Sequence, residues 1–360
     1  MSDANLKSNK FMALFYDDLS PLDWPQLKCL LWEQVRPGRR NPPAWDDIAA
    51  HVNDKCRSSE PQPAKAYAAA FDAIAEAMPR LFADGGPTGA GQRAWVEILY
   101  GQAQRVFGRP RFMNLGFANL PDWKLPIELR AEDEPHRFAI QLYHQLLAQV
   151  EPRGCRILEV GCGAAGGLDY MRKYLQPALA VGLDIVAENF AGLRSTNRMS
   201  ASAVVLASAE QLPFRDQDFD IAVSVESSEH YHDIDRFMRE VRRVLKPRGK
   251  LLLADLRWDG RFDSDWGASR SAGGLKRQIE AAGFRILGFD DISRNVLRSI
   301  EMQDDAKQNG LEHCGLAGND REQFREIMLC VGSRNYEKLR RGEIRYFSTI
   351  SEVAGPAITG

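Results

Sequence analysis

The sequence predicts an α/β protein with a doubly wound, seven-stranded, mostly parallel sheet. Three observations predict this fold: short apolar runs from residue 153 onward, helical patterns between most of them, and a glycine-rich turn after the first run. Buried strands that alternate with helices are typical of βαβ units, in which helices cover both faces of the sheet. In such a sheet, ligands bind beyond the carboxyl ends of the strands.

Seven segments have the length and composition of strands, namely 156–160, 179–185, 203–208, 220–226, 250–256, 283–293 and 343–351. The segment DIDRFMREVRRVL (233–245) is amphipathic at helical spacing, so it predicts the helix after the fourth strand, with Asp233 as its N-cap. The last two strands are separated by residues 294–342, which are polar and helical in pattern. An insertion of this length usually has a function, so we expect it to form a lid over the ligand-binding ends of the strands.

Residues 1–108 have a different character from the rest of the chain. The segment 63–82 has helical periodicity, 36–43 and 83–91 are turn-rich, and nothing alternates like a strand. We therefore expect two domains: a helical N-terminal region over 1–108 and an α/β domain over 109–360 that contains the lid. The N-terminal region is expected to cap the domain or to build a homodimer interface.

The composition argues against several classes of protein. Lys and Arg number 47 against 49 Asp and Glu, and the net charge of -2 at pH 7 offers no overall attraction to nucleic acid or anionic membranes. We find no signal peptide, and no apolar stretch approaches the ~20 residues needed to span a bilayer. The 6 cysteines form no CxxC pair. We expect a cytoplasmic protein with a small-molecule substrate.

The turn after the first predicted strand reads LEVGCGAAGG. Gly161, Gly163 and Gly166 form a Gly-x-Gly-x-x-Gly pattern, and Asp184 ends the second strand. Glycines let the backbone approach a nucleotide closely, and the acid binds ribose hydroxyls, but several nucleotide cofactors share these features. Glu159 would repel a pyrophosphate group, so its position before the glycines argues against a dinucleotide.

Two further stretches distinguish between these nucleotide cofactors. The first leads into and through the fourth strand and reads ASAEQLPFRDQDFDIAVSVES. The second precedes and forms the fifth strand and reads REVRRVLKPRGKLLLADL. Together with Glu-x-Gly-x-Gly, they make the chain over about 110–350 resemble the class I S-adenosylmethionine-dependent methyltransferases. The resemblance implies S-adenosyl-L-methionine as the cofactor. It also implies the cofactor-binding residues Glu159, Gly161, Gly163, Asp184, Ser208, Ala209, Glu226 and Tyr143.

Two positions depart from the pattern of the resembled family. Ala165 stands where a glycine is usual, and Ser208 stands where an aspartate normally accepts from the adenine amino group. A hydroxyl accepts such a bond more weakly than a carboxylate does. Ala209 still offers its backbone N–H.

The segment SVESSEHYHD (224–233) contains the candidate base. Glu226 to Asp233 match a Glu-Ser-x-x-His-x-x-Asp arrangement that resembles O-methyltransferases acting on sugars, polyketides and lipid hydroxyls. The resemblance implies His230 as the general base, with Asp255 orienting its ring or binding a second hydroxyl. A neutral imidazole suits proton removal near pH 7. Glu229 is the rival base, and transfer without a base is a third alternative.

The acceptor site and a metal site are less well specified. By resemblance, Phe112, Asn114 and Phe117 of the segment 111–123 bind the acceptor, although an apolar turn packed on the core is the alternative. His232 is assigned to the acceptor as well, or else neighbours the helix cap. No metal is expected, because two histidines at i, i+2 lack a distant acidic cluster.

The predicted activity is O-methylation of a hydroxyl on a secondary metabolite or lipid-like acceptor. C-methylation of a prenyl- or sterol-like alkene is the first alternative, in which Glu226 or Glu229 would matter more than His230. The second is an inactive, cofactor-binding partner subunit, which Ala165 and Ser208 favour.

Overall fold

The computed structural model describes residues 110–123, 125–190, 204–231, 233–258, 271–313, 321, 325–326 and 328–354. The predicted helical region 1–108 and His232 lie outside the described residues, so the predictions made for them remain predictions. Residues 109–304 and 336–360 form one compact unit, while 305–335 are grouped in a second. The division into domains at residue 108 is likewise still a prediction.

The predicted seven-stranded sheet is confirmed. The strands are β1 (Arg156–Val160), β2 (Leu179–Asp184), β3 (Val204–Leu206), β4 (Phe219–Val225), β5 (Leu245–Trp258), β6 (Phe284–Asp291) and β7 (Ile344–Val353). Their order across the sheet is β3-β2-β1-β4-β5-β7-β6. Strands β1 to β5 pair in parallel, and only β7 runs antiparallel to its neighbours β5 and β6. The strand order reverses between β1 and β4, which is where doubly wound sheets bind ligands.

The described helices are α1 (Arg137–Leu147), α2 (Gly166–Tyr174), α3 (Ile234–Val244), α4 (Ala272–Ala281), α5 (Ser293–His313) and α6 (Arg334–Arg341), with a 3-10 turn at Ala131–His136 before α1. Helices α5 and α6 occupy the two ends of the predicted lid, so its helical character is present there. None of the described helices combines the length and apolar composition needed to cross a bilayer.

Strand β5 begins at Leu245, earlier than the predicted Lys250. Leu245 pairs with Phe219 ahead of a bulge, and regular pairing resumes where Lys250 faces Ile221. A bulge interrupts hydrophobic alternation, so the sequence pattern alone marked only the regular part of the strand. The preceding helix accordingly ends one residue early, at Val244.

Helix α3 is placed by an apolar face and by an N-cap. Phe237, Met238, Val241 and Val244 are buried against the sheet, at the spacing of one helical face. The predicted cap is confirmed, because the Arg236 N–H donates to Asp233 Oδ1 over 2.8 Å. The cap fixes where the helix starts, and therefore where the turn that follows β4 must end.

Replacing Asp233 by Ala is expected to lower the free energy of unfolding by about 1 kcal/mol, because the Arg236 N–H loses its acceptor. Urea unfolding followed by circular dichroism measures the change. Asp233→Asn retains an acceptor oxygen and is the matched control, so it should keep most of the stability. An alanine variant as stable as the unmodified protein would show that the cap contributes nothing.

Candidate active site

The glycine loop (residues 161–167) joins β1 to α2 and has no space for side chains at its glycines. Gly161 and Gly163 adopt φ of +74° and +50°, in the left-handed region that favours glycine. A Cβ on Gly161 would overlap Ser227 Oγ and approach the Tyr231 hydroxyl to 3.0 Å, and one on Gly163 would overlap the Met113 methyl group. The loop is therefore a backbone surface that a ligand can approach closely.

Ala165, where the resembled family has a glycine, adopts φ 61°. Ala165 thus adopts the left-handed backbone conformation that a glycine would adopt, although its Cβ makes that conformation sterically unfavourable. The substitution leaves the path of the loop into α2 unchanged.

Asp184, at the end of β2, holds the glycine loop. Its Oδ2 accepts the Gly163 N–H over 2.8 Å, and its Oδ1 accepts the Val186 N–H over 2.9 Å and the Asn189 side-chain amide over 3.1 Å. Burial raises the pKa of this carboxyl group. A carboxylate has about four acceptor positions, and these donors, together with the Ile185 N–H, occupy most of them.

Glu159 and Tyr143 form a buried pair under the loop. The Tyr143 hydroxyl donates to Glu159 Oε1 over 2.7 Å. The other oxygen, Oε2, is buried and has no hydrogen-bond partner among the described residues. Burial raises the pKa of Glu159 to about 8, although the Tyr143 hydroxyl opposes the shift. A buried carboxyl oxygen without a partner suits a ligand that brings a donor or a positive charge.

The Ser208 hydroxyl closes a local turn by accepting the Glu210 N–H over 3.2 Å. Ala209 is buried in the apolar cluster beneath the sheet. Ser208 keeps its own proton as a donor, so it differs chemically from the aspartate of the resembled family.

The β4 turn (residues 226–231) carries the predicted base. His230 Nε2 lies 3.5 Å from Glu229 Oε1, and the two side chains are only 18% and 14% exposed. The two residues that the sequence offered as rival bases are therefore neighbours. A carboxylate at this distance favours the protonated form of an imidazole.

Asp255, expected to orient the ring of His230 or to bind a second hydroxyl, makes its hydrogen bonds to Ser228. It is 1% exposed, its Oδ2 accepts both the Ser228 N–H over 3.0 Å and the Ser228 hydroxyl, and no hydrogen bond joins it to His230 in the described part of the chain. Arg257 donates to Ser228 Oγ over 2.7 Å. Burial raises the pKa of Asp255 to about 6, and the positive charge of Arg257 opposes the shift. Asp255 and Arg257 thus fix the β4 turn through Ser228.

Asp255 keeps one oxygen available for its other expected role. Its Oδ1 is buried and has no hydrogen-bond partner within the part of the chain that the structure describes. A second hydroxyl of an acceptor is one group that can supply the missing donor.

Glu226, predicted to bind the cofactor, accepts two hydrogen bonds from protein groups. Its Oε1 accepts the Leu115 N–H and the Tyr346 hydroxyl, each over 2.8 Å. Burial raises the pKa of Glu226 to about 8. Its φ of 47° is in the left-handed region, which a non-glycine residue adopts only when its surroundings enforce it. Leu115 and Tyr346 were missed by sequence reasoning, because they lie 111 and 120 residues away from Glu226.

The cover segment (residues 111–118) lies on the glycine loop. A Cβ on Gly166 would overlap Arg111 and come within 2.7 Å of the Phe112 ring. The Phe112 ring also lies 6.2 Å from that of Tyr143. Phe112 therefore borders the loop, as expected of a residue that covers a ligand.

Phe117 and Asn114 sit differently from Phe112. Phe117 is 1% exposed and packs edge-on against Trp123 with ring centroids 6.0 Å apart, which favours the packing alternative for this residue. Asn114 donates a long bond of 3.4 Å to the Ala139 carbonyl, and its Oδ1 is buried without a partner. Asn114 thus remains a candidate for contact with an acceptor.

Arg111 fastens the start of the cover segment to α2. Its guanidinium pairs with Asp133 over 2.6 Å and with Asp169. Lys173 pairs with the same two carboxylates, and the Tyr174 hydroxyl donates to Asp133 over 2.7 Å. No group of His, Cys, Asp and Glu among the described residues has the arrangement of a metal site.

Comparisons with known proteins agree with this geometry. A family profile described as "Methyltransferase domain" matches residues 158–253. The phthiotriol/phenolphthiotriol dimycocerosates methyltransferase of Mycobacterium tuberculosis is 32% identical over 250 residues, or 68% of this chain and 92% of that protein. The chain belongs to the class I S-adenosylmethionine-dependent methyltransferases. A second relative of this methyltransferase, the fatty-acid O-methyltransferase of Mycolicibacterium smegmatis, is 33% identical over 65% of the chain and 80% of that protein.

Solved structures share the fold of this methyltransferase. The [4+2]-cyclase SpnF superposes with a TM-score of 0.55 at 20% identity, covering 74% of this chain and 97% of that one. The geranyl diphosphate C-methyltransferase of Streptomyces coelicolor, solved with S-adenosyl-L-homocysteine, gives 0.54 at 15% identity, covering 73% and 98%. Identities this low show the fold alone, and a cyclase among them illustrates that the fold does not fix the reaction.

The cofactor of this methyltransferase is S-adenosyl-L-methionine, and the loop residues fit it. Glu159 Oε2 lacks a donor, and the methionine end of the cofactor carries an ammonium group. The glycine loop carries no side chains at Gly161 and Gly163, and the Asp184 carboxyl group lies against it, accepting the Gly163 N–H.

Replacing Glu159 by Gln is expected to stabilise the cofactor-free protein at alkaline pH and to weaken cofactor binding. In the folded chain the pKa of Glu159 is about 8, whereas an exposed glutamate ionises near pH 4.5, so ionisation penalises folding increasingly as pH rises between these values. The neutral amide avoids that penalty but cannot balance an ammonium group.

The measurements are the melting temperature from pH 5 to 9 and the Kd of S-adenosylhomocysteine by calorimetry. The advantage of the variant in melting temperature should grow with pH, while its Kd rises by about tenfold or more. Glu128→Gln removes an exposed carboxyl group and serves as the control. Equal pH profiles for the Glu159 variant and the unmodified protein would contradict the buried-acid assignment.

Proposed function

We propose that this methyltransferase transfers the methyl group to a hydroxyl oxygen of a small, lipid-like acceptor. The observation that carries the proposal is the His230–Glu229 pair, 3.5 Å apart in the turn that follows β4. That turn lies at the edge of the sheet where doubly wound folds bind their ligands. The names of two relatives support it, since one is named for a triol ester and the other for O-methylation of a fatty acid.

The bound cofactor supplies a methyl group that is attached to a positively charged sulfur. When the methyl group is transferred, the sulfur becomes a neutral thioether and is the leaving group. The acceptor oxygen forms the new C–O bond as the C–S bond breaks, and His230 takes the hydroxyl proton as that bond forms. Glu229 stabilises the resulting imidazolium charge. The protonated ring then returns its proton to solvent, so atoms and charge balance over the cycle.

The remaining residues position the reactants. We assign Glu159 to the ammonium group of the cofactor, Asp184 to a ribose hydroxyl, and Ser208 with the Ala209 N–H to the adenine. Asp255 and Arg257 act through Ser228 to set the direction of the β4 turn. Accurate placement matters because an in-line displacement gains much of its rate from orientation.

The alternatives proposed from sequence receive less support from this geometry. C-methylation needs a carboxylate that faces a carbocation. Of the two candidates, Glu226 accepts hydrogen bonds from Leu115 and Tyr346, and Glu229 lies beside His230. An inactive subunit was suggested by Ala165 and Ser208, yet Ala165 keeps the glycine-like backbone and Ser208 keeps a free donor.

The acceptor is found by supplying cofactor with a deuterated methyl group. Purified protein is incubated with hydroxylated lipids, fatty acids and polyketides, and labelled products are detected by mass spectrometry. Fragmentation is expected to place the labelled methyl group on a hydroxyl oxygen. Label on carbon would contradict the proposal and favour C-methylation, and label on nitrogen or sulfur would contradict it as well.

His230→Ala is expected to lower kcat by roughly 10²-fold or more, because the hydroxyl loses its base, while the Kd of S-adenosylhomocysteine stays unchanged. Glu229→Gln should lower kcat less than His230→Ala does, since the imidazolium loses a stabilising carboxylate while the base itself remains. His230→Gln, a polar side chain without basicity, controls for loss of bulk. Full activity in either His230 variant would refute the role of His230 as the base.

A further inference from the structure

The cover segment and the β4 turn meet through one side chain, that of Glu226. The Leu115 N–H in the middle of the cover segment donates to Glu226 Oε1 over 2.8 Å. The other fastenings of the cover segment come from the 3-10 turn before α1 and from α1, α2 and α5. Among the described residues, Glu226 therefore provides the side-chain hydrogen bond between the segment that lies on the cofactor loop and the turn that carries the base.

Tyr346 holds Glu226 in that position from the opposite side. It lies on β7, is fully buried, and donates its hydroxyl to the same Oε1 atom over 2.8 Å. The backbone of Tyr346 is fixed by its pairing with Leu256 in β5. A rigid strand therefore anchors a carboxylate whose own backbone, at φ 47°, adopts a conformation that its surroundings must enforce.

The cover segment contacts the glycine loop, on which the cofactor is expected to sit, through Phe112 and Met113. Phe112 packs where a Cβ on Gly166 would lie, and Met113 packs where a Cβ on Gly163 would lie. A ligand seated on this loop is therefore covered by residues 112 and 113, which are continuous with Leu115. The hydrogen bond from the Leu115 N–H to Glu226 is one of the contacts that break when the cover segment opens.

We propose that Glu226 and Tyr346 are positioning residues that form a latch, which retains the cofactor under the cover segment and ties its retention to the placement of the β4 turn. The latch is distinct from the expected role of Glu226 as a cofactor ligand. It depends on the cofactor site, not on the identity of the acceptor, so it can be tested without an acceptor.

The test measures dissociation of S-adenosylhomocysteine by stopped-flow fluorescence. Tyr346→Phe removes one hydroxyl without changing shape and should raise the dissociation rate about tenfold, because a hydrogen bond to the buried Glu226 carboxyl group is lost. Tyr170→Phe is the matched control, since its buried hydroxyl contacts the His144 ring instead. The control should dissociate at the rate of the unmodified protein.

Two further variants show whether the residues act together. Glu226→Leu removes both hydrogen bonds of the latch, and adding Tyr346→Phe to it should increase the dissociation rate no further. Glu226→Gln keeps the acceptor oxygen and is the conservative variant if Glu226→Leu fails to fold. It should give a rise smaller than that of Tyr346→Phe.

Hydrogen exchange separates a latch from a loss of general stability. In Tyr346→Phe, the amides of residues 111–118 should exchange faster, while the amides of β1 and β2 keep their protection. An unchanged dissociation rate, or faster exchange spread over the whole sheet, would overturn the proposal. If the latch variants behave as expected but no hydroxyl acceptor is methylated, the proposed function fails and the latch stands.

Discussion

The parallel pairing of β1 with β4 is the constraint on which the rest of the site depends. It places the glycine loop, which leaves β1, directly against the turn that leaves β4, so that Gly161 and Ser227 are in contact. The strand order reverses at this pair, which is where doubly wound sheets form their ligand-binding crevice. Sheet topology thereby brings a cofactor on the loop close to a base in the turn, whatever side chains these segments carry.

Buried acids surround this crevice, and they explain how the site favours a positively charged cofactor. Burial raises the pKa of Glu159, Asp184, Glu226 and Asp255 alike. An acid in this state destabilises the fold when it ionises, unless a cation arrives to balance it. The cofactor supplies two positive groups, so the groups that cost stability in its absence are suited to bind it. These buried acids lower the stability of the fold while they serve binding, a trade-off that is common at binding sites.

The sequence predicted the features that depend on local pattern. The seven strands, the glycine loop and the Asp233 cap each follow from residues close together in the chain. The partners of Glu226 could not be predicted in this way, since Leu115 and Tyr346 reach it only through tertiary packing. The same holds for Asp255, whose Oδ2 is held by the Ser228 backbone and hydroxyl, with Arg257 beside it. The residue types at the strand ends predicted a functional site. Which of these side chains hydrogen-bond to one another depends on the tertiary structure.

The contact between Gly161 and Ser227 has an evolutionary consequence. Because a single added carbon at position 161 would overlap the side chain at 227, the two positions share one fixed volume. Any side chain at 161 would therefore require a smaller or displaced side chain at 227. Substitution at 161 is tied to the identity of residue 227, even though neither residue takes part in bond making.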